Sequence, residues 1–315
     1  MIRIGVDLGG TDIKIGAVTD DGRLLRSLST PTRPERPFEA VVADICAHIR
    51  ELLDGMGLGE ADVASVGVGL PGAANTETGH ALYCTNLGWL DVPFREEMQR
   101  FFSCPVLMEN DANAAALAEN RVGASRGCSS SVMITLGTGV GGGIILDGKP
   151  WRGFFYMAGE IGHMTLVPNG LRCNCGRSGC VERYCSATAL TEQARQACLT
   201  HPENDMLRRA EGHPERITAR DVVDAAKAGD ETALRIFTDF ARHLALAVDN
   251  VINTLNPEMI VLGGGVSRAG EFLLEAVRAW IPPFEMGLRR QQTRIGLAAL
   301  GNEAGMIGAA LLALI

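Results

Sequence analysis

IGVDLGGTDIKIGAVTDDG, residues 4–22, and VMITLGTGVGGGIILDG, residues 132–148, can be laid one on the other. Each has an apolar β-branched run, a Gly/Thr turn, a second apolar run and an Asp-Gly turn. The runs predict buried strands, and the turns predict tight reversals between them. A ribbon repeated 128 residues apart implies two halves of similar build. Chance likeness between two glycine-rich hairpins is the alternative.

Working outward, a third strand is expected near residues 23–29, after the Asp21-Gly22 turn. A Pro-rich connection follows, then a helix with Val41, Val42, Ile45, Ile49, Leu52 and Leu53 at helical spacing. Residues 63–70 read as a buried strand ending at Pro71-Gly72, and 73–104 as turn-rich chain followed by a short helix. A strand at 106–109 runs through Asn110-Asp111 into an alanine-rich helix at 112–120. The second half is mostly helical, at 186–199, 218–228 and 230–255, with Thr218 and Asp221 as a capping box. A strand at 259–262, Gly263-Gly264-Gly265, a helix at 270–280, a strand at 293–297 and an apolar helix at 302–314 close the chain. Alternation of strands and helices indicates α/β layering. The expected division is a small α/β domain at 1–119, completed by the helix at 302–315, and a large α/β domain at 120–301.

The 315 residues are 46% hydrophobic and 21% charged, so a packed core is expected and disorder is not. A net charge of −8 argues against nonspecific affinity for nucleic acid or anionic membrane. MIRIGVDLGG lacks the apolar region of an export signal, and no apolar run reaches the roughly 18 residues of a membrane span. A cytoplasmic protein is expected, whose nine cysteines are reduced thiols or metal ligands.

Three of those cysteines are grouped. In HMTLVPNGLRCNCGRSGCVE, residues 163–182, His163 precedes Cys173, Cys175 and Cys180, with Gly176 and Gly179 allowing tight turns. One imidazole and three thiols can complete a tetrahedral zinc shell. Three cysteines in a loop beside an unrelated histidine are one alternative, and a disulfide is the other, but no export signal accompanies it. Glu160 and Glu182 flank the cluster. Metal on one ring nitrogen of His163 would leave the other N–H to donate to a ligand. The knuckle would then offer two carboxylates and an oriented imidazole to one small polar molecule.

Gly/Thr-rich turns follow apolar strands at 9–11, 71–72, 137–143 and 263–265, an arrangement that suits a polyphosphate. Asp7, two residues before Gly9, either holds Mg²⁺ through water or stabilises the turn. The Walker pattern is absent. Gly137, Gly139 and Gly142 form G-x-G-x-x-G, but the GIILDG that follows predicts a strand, whereas a dinucleotide fingerprint requires a helix. Asp111, at a strand–helix junction, can serve as an N-cap, as a general base that accepts the proton of a hydroxyl nucleophile, or as both.

These residues together resemble the ROK family (repressor, open reading frame, kinase), in the superfamily of actin, hexokinase and heat-shock chaperone ATPases. The likeness runs from residue 4 to the C-terminus. It rests on Glu160-x-Gly162-His163 with the cysteine knuckle through Glu182, on DLGGTDIK, ENDANAAALAE and TLGTGVGGG, and on LNPEMIVLGGGV. The resemblance implies an α/β, two-domain actin-like ATPase (ribonuclease H-like) fold with a cleft between the domains. It implies an ATP- and Mg²⁺-dependent sugar kinase, with glucose the first expectation; fructose, N-acetylmannosamine, N-acetylglucosamine and allose stay open. Asp7, Gly9, Gly10, Thr11 and Lys14 would meet the ATP phosphates and Mg²⁺. Gly137, Thr138 and Gly139 would hold phosphate from the other half, and Gly264 and Gly265 would lie along the adenosine. Gly72, Asn86, Asn110, Glu160, His163 and Glu182 would bind sugar hydroxyls, with Asp111 as the base. His163, Cys173, Cys175 and Cys180 would hold structural Zn²⁺. A homodimer or dimer of dimers is implied. Repressors of the family carry a helix-turn-helix domain before the first strand, with which this chain begins, so DNA binding is not expected. A noncatalytic sugar sensor on the same fold is the alternative of another class.

Overall fold

The structure, a computed structural model of the chain, describes residues 1–282 and 292–315. Packing divides it into two compact units. One comprises Met1–Met133, Gly143–Gly159 and Ala299–Ile315; the other comprises Ile134–Gly142 and Glu160–Ala298. The sequence-derived boundary at 119/120 falls inside the first unit. The physical reason is local: Glu119 accepts from the Ala124 N–H and Asn120 donates to the Cys128 carbonyl, so the chain after the helix folds back on it.

The first unit opens with β1 (Ile2–Leu8), β2 (Asp12–Val18) and β3 (Leu24–Pro31), then α1 (Phe38–Asp54) and β4 (Val63–Leu70). Three short strands follow: β5 (Ala73–Asn75), β6 (His80–Cys84) and β7 (Trp89–Val92). Then come α2 (Phe94–Gln99), β8 (Val106–Asn110) and α3 (Asp111–Arg121). The main sheet has order β3-β2-β1-β4-β8, antiparallel across β1–β3 and parallel from β1 through β4 to β8. Pro31, lacking an N–H, is tolerated because β3 lies at the edge.

Side chains alternate across a strand. Ile4, Val6 and Leu8 therefore share one face, where they join Val41, Val42, Ile45, Ile49, Leu52 and Leu53 of α1 in one buried cluster. The opposite face carries a row of paired glycines, Gly16, Gly5 and Gly67. The C-terminal helix, here called αC (Ala304–Leu311), lies along that row. A Cβ at Gly5 would run into the Met306 carbonyl, and one at Gly67 into that of Ala309. On its other side αC meets α3, where a Cβ at Gly308 would strike the Ala114 carbonyl. Helix α3 is alanine-rich because it is enclosed: Asn113 to Asn120 are all buried.

Strand β9 (Ser131–Leu136) and strand β10 (Val140–Leu146) are joined by residues 137–139, and each passes from one unit into the other. With β11 (Lys149–Pro150), β12 (Met259–Gly263) and β13 (Arg294–Leu297) they form a sheet of order β11-β10-β9-β12-β13. This is the first sheet's order with β1, β2, β3, β4 and β8 replaced in turn. The repeat therefore extends beyond the ribbon to five strands. Both Asp-Gly turns form, with Asp147 and Gly148 each in the left-handed region.

Outside these strands and the knuckle at 163–182, the described elements of the second unit are helices. Its core is the amphipathic helix Glu231–Leu255, whose Phe237, Phe240, Leu244 and Val248 are buried. The expected capping box forms between Thr218 and Asp221. Residues 73–92, expected as turns, form the antiparallel sheet β5-β6-β7. Its strands are too short for periodicity to reveal, and Trp89 anchors them by ring contacts with Phe38 and Phe94.

Candidate active site

In the first unit, strand register brings the expected residues to one edge. Asp7 pairs with Gly69 and Gly69 with Glu109, while Leu70 pairs with Asn110. The turns after β1, β4 and β8 therefore emerge side by side at the carboxyl ends of parallel strands, where α/β sheets bind ligands. Gly9 donates to the Asp12 carbonyl at 2.9 Å, closing the first turn. The Thr32 hydroxyl donates to the Gly9 carbonyl at 2.7 Å, and Thr32 N–H to Thr11. Lys14, opposite Asp7 in the ladder, lies 3.5 Å from its carboxylate. Burial pushes the Asp7 carboxyl above its ordinary range, and Lys14 only partly opposes this.

Asn86 lies against Gly10, where a Cβ would come within 3.0 Å of the Asn86 Cβ. Gly72 lies under β6, and a Cβ there would collide with the Tyr83 carbonyl. The Asn110 amide donates to the Gly72 carbonyl at 3.1 Å and accepts from the Asn113 N–H at 3.0 Å. Asn110 is thus the N-cap of α3, and Asp111 is the first helical residue. This corrects the alternative in which Asp111 capped the helix. Among the described residues, one N–H and one lone pair of the Asn110 amide stay available for a ligand. Asp111 Oδ1 accepts from the Ala112 N–H at 2.7 Å. Its charge also helps raise the thiol of Cys84, pushed to about 12 mainly by burial.

In the second unit, His163, Cys173, Cys175 and Cys180 present ligand atoms that all lie within 4.8 Å of one another. His163 Nδ1 is 3.8 Å from Cys173 Sγ, and Cys175 Sγ is 3.6 Å from Cys180 Sγ. A tetrahedral ion with Zn–S bonds near 2.3 Å sets ligand atoms roughly 3.7 Å apart. The donor set and its spacing fit zinc. Burial and the other thiols push Cys180 up to about 12, while the Arg177 N–H pulls Cys175 down. Ligation would therefore release protons. Gly176 and Gly179 both take left-handed φ, and a side chain at Gly179 would strike the Val167 carbonyl.

With Nδ1 facing the thiols, Nε2 of His163 points toward Glu160, 4.0 Å away. Glu182 Oε2 accepts from the Val140 N–H at 3.0 Å, and a Cβ at Gly162 would strike the Val140 carbonyl. The knuckle thus abuts the turn at Gly137, Thr138 and Gly139. That turn is braced from behind: Ala187 N–H donates to Gly137 at 2.8 Å, and the Thr188 hydroxyl to Thr138 at 2.7 Å. A strand, β10, follows Gly139, as expected for a turn that is not a dinucleotide fingerprint. Gly264 is left-handed and packs against the Leu136 backbone; its carbonyl accepts from the Ser267 hydroxyl at 2.7 Å, and Gly265 follows it.

Residues 3–315 match the ROK family profile. The chain belongs to the ROK family. It is 38% identical over 306 residues to a glucokinase of Halalkalibacterium halodurans, covering 97% of this chain and 92% of that protein. It is 37% identical to a glucokinase of Thermotoga maritima, covering 98% and 95%. The crystal structure of a ROK family glucokinase from Streptomyces griseus in complex with glucose and AMPPNP superposes with a TM-score of 0.84. That protein is 36% identical, with 98% of each chain covered. The fold is accordingly the two-domain actin-like ATPase fold that the motifs predicted. No helix among the described residues is long and apolar enough to cross a membrane.

Two carboxylates escaped the ROK motif reading although both lie within ENDANAAALAE. Glu109, 1% exposed, is paired with Arg152 at 2.6 Å. Glu119, fully buried, accepts from the N–H groups of Ala124, Ala299 and Leu300. An acid inside an apolar strand or an alanine helix signals a buried partner, but sequence cannot say which.

Proposed function

We propose that this chain is an ATP-dependent hexose kinase that phosphorylates glucose on its 6-hydroxyl. The observation that carries this is near-full-length likeness to glucokinases, one of them solved with glucose and AMPPNP. The intact set of acids, glycine turns and knuckle ligands supports it. Asp111 accepts the proton of the attacking hydroxyl. The sugar oxygen forms a bond to the γ-phosphorus as the β–γ bridging bond breaks, and ADP leaves with that electron pair.

The turns at Gly9–Thr11 and Gly137–Gly139 hold phosphates, with Lys14, and Gly264 and Gly265 meet the adenosine. Asp7 is the residue that would hold Mg²⁺, which supplies charge neutralisation at the phosphates. A carboxylate raised by burial at a strand end fits that role. Gly72, Asn86, Asn110, Glu160, His163 and Glu182 take the sugar hydroxyls. His163, Cys173, Cys175 and Cys180 are the residues that would hold Zn²⁺; bound there, it would orient His163 rather than meet the substrate.

A coupled ADP-release assay across a hexose panel tests the proposal. Glucose-dependent ADP release is expected, falling about 10²–10⁴-fold in Asp111→Asn while glucose binding by calorimetry persists. Sugar binding with no ADP release from any hexose would instead identify a noncatalytic sensor.

A further inference from the structure

We propose that the buried Glu109–Arg152 pair positions Asn110 and Asp111 for phosphoryl transfer; the inference rests on Asp111 being the base. Glu109 Oε1 accepts from the Asn110 N–H at 3.0 Å and from Asn113 Nδ2 at 3.1 Å. One carboxylate oxygen therefore grips the chain on both sides of Asp111. The other oxygen, Oε2, accepts from Arg152 Nε at 2.6 Å. Asn113 shows how strongly this carboxylate orients its neighbours. Its Oδ1 is buried without a partner among the described residues, and turning the amide would set that oxygen against Glu109 Oε1.

Packing alone does not call for charge here. A buried ion pair is often replaced by apolar residues without loss of stability. Position explains the pair better. Asp7, Gly69 and Glu109 are in register across three strands, so the two acids share a face with a glycine between them. A Cβ at Gly69 would lie 3.4 Å from the Asp111 Cα, so Asp111 stands over that gap. Three carboxylates are gathered on one face, and Arg152 compensates the one that no phosphate or metal would meet. Arg152 is held in turn, its carbonyl accepting from the Ala158 N–H at 3.0 Å.

The test measures kcat and both KM values for Arg152→Met, Arg152→Lys and the pair Glu109→Gln with Arg152→Met. In Arg152→Met, kcat falls roughly 10²-fold, the scale of a small misplacement of a reacting group. KM for ATP stays near that of the parent, and Arg152→Lys recovers most of the loss. A merely structural pair would lower thermal stability without this split or rescue. Should Arg152→Met fail to fold, the paired variant decides, since it buries no lone charge; it is expected to melt near the parent with kcat still reduced. Unchanged kcat in either folded variant, with Asp111→Asn inactive, overturns the positioning role alone. Near-normal turnover in Asp111→Asn overturns the base assignment and this inference with it.

Discussion

Asp7 carries two opposed demands. The proposed function asks for a carboxylate at the end of β1, and burial raises the free energy of that carboxylate by more than Lys14 lowers it. Its protonated form is favoured in the folded state, so this group's contribution to stability is full below its ordinary value of 3.8 and is lost as pH rises through the raised folded value. Asp7→Asn should melt higher than the parent at neutral pH without nucleotide, and the difference should shrink as pH is lowered toward 4, on the order of the ordinary carboxylate range. Turnover should fall at the same time. Differential scanning fluorimetry from pH 4 to 8, roughly that window, checks this, and an unchanged or lower melting point at neutral pH would contradict it. At this scale the sequence was informative about residue type and silent about roles that need the same type. Asp suits both an N-cap and a base, and the hydrogen bond from the Asn113 N–H gives the cap to Asn110. Glu109 and Arg152 are 43 positions apart, and no local pattern joins them.

Elements set which site residues meet. The knuckle was legible because ligand chemistry is written in residue type and spacing. Its contact with the Gly139–Val140 turn was not, because a glycine permits close approach without naming the approaching partner. Cys175→Ser should lose bound zinc, and with it the support of His163 and Glu182. KM for glucose should rise by roughly 10–100-fold, the usual cost of losing groups that orient a site. Metal analysis alongside kinetics checks it, and unchanged KM in the metal-free variant would sink the positioning role of zinc. The glycine row beneath αC is a second device of the same kind. Gly67→Ala forces a methyl into the Ala309 carbonyl and should cost about 1–3 kcal/mol or more, read as a lower denaturant midpoint. The three short strands at 73–92 stayed hidden, because three to five residues carry too little alternation to distinguish a strand from a turn.

At the level of the whole molecule, the first unit is assembled from three separate lengths of chain, the last being Ala299–Ile315. That last length is not an appendage. It supplies the helix that covers the Gly16–Gly5–Gly67 row, sets Gly305 against the Asp7 carboxylate, and offers the Ala299 and Leu300 N–H groups to the buried Glu119. Removing it would expose one face of the main sheet and strand a buried carboxylate. The knuckle, in contrast, lies wholly within the second unit. A chain ending at Ala298 should therefore lose turnover and the cooperative melting of the first unit, yet still bind one zinc per chain. Calorimetric melting, zinc content and ADP release on the same preparation separate these outcomes. Parent-like melting and turnover in the shortened chain would mean that the first unit does not depend on its C-terminal helix. Loss of zinc together with melting would mean instead that the second unit cannot fold without the first.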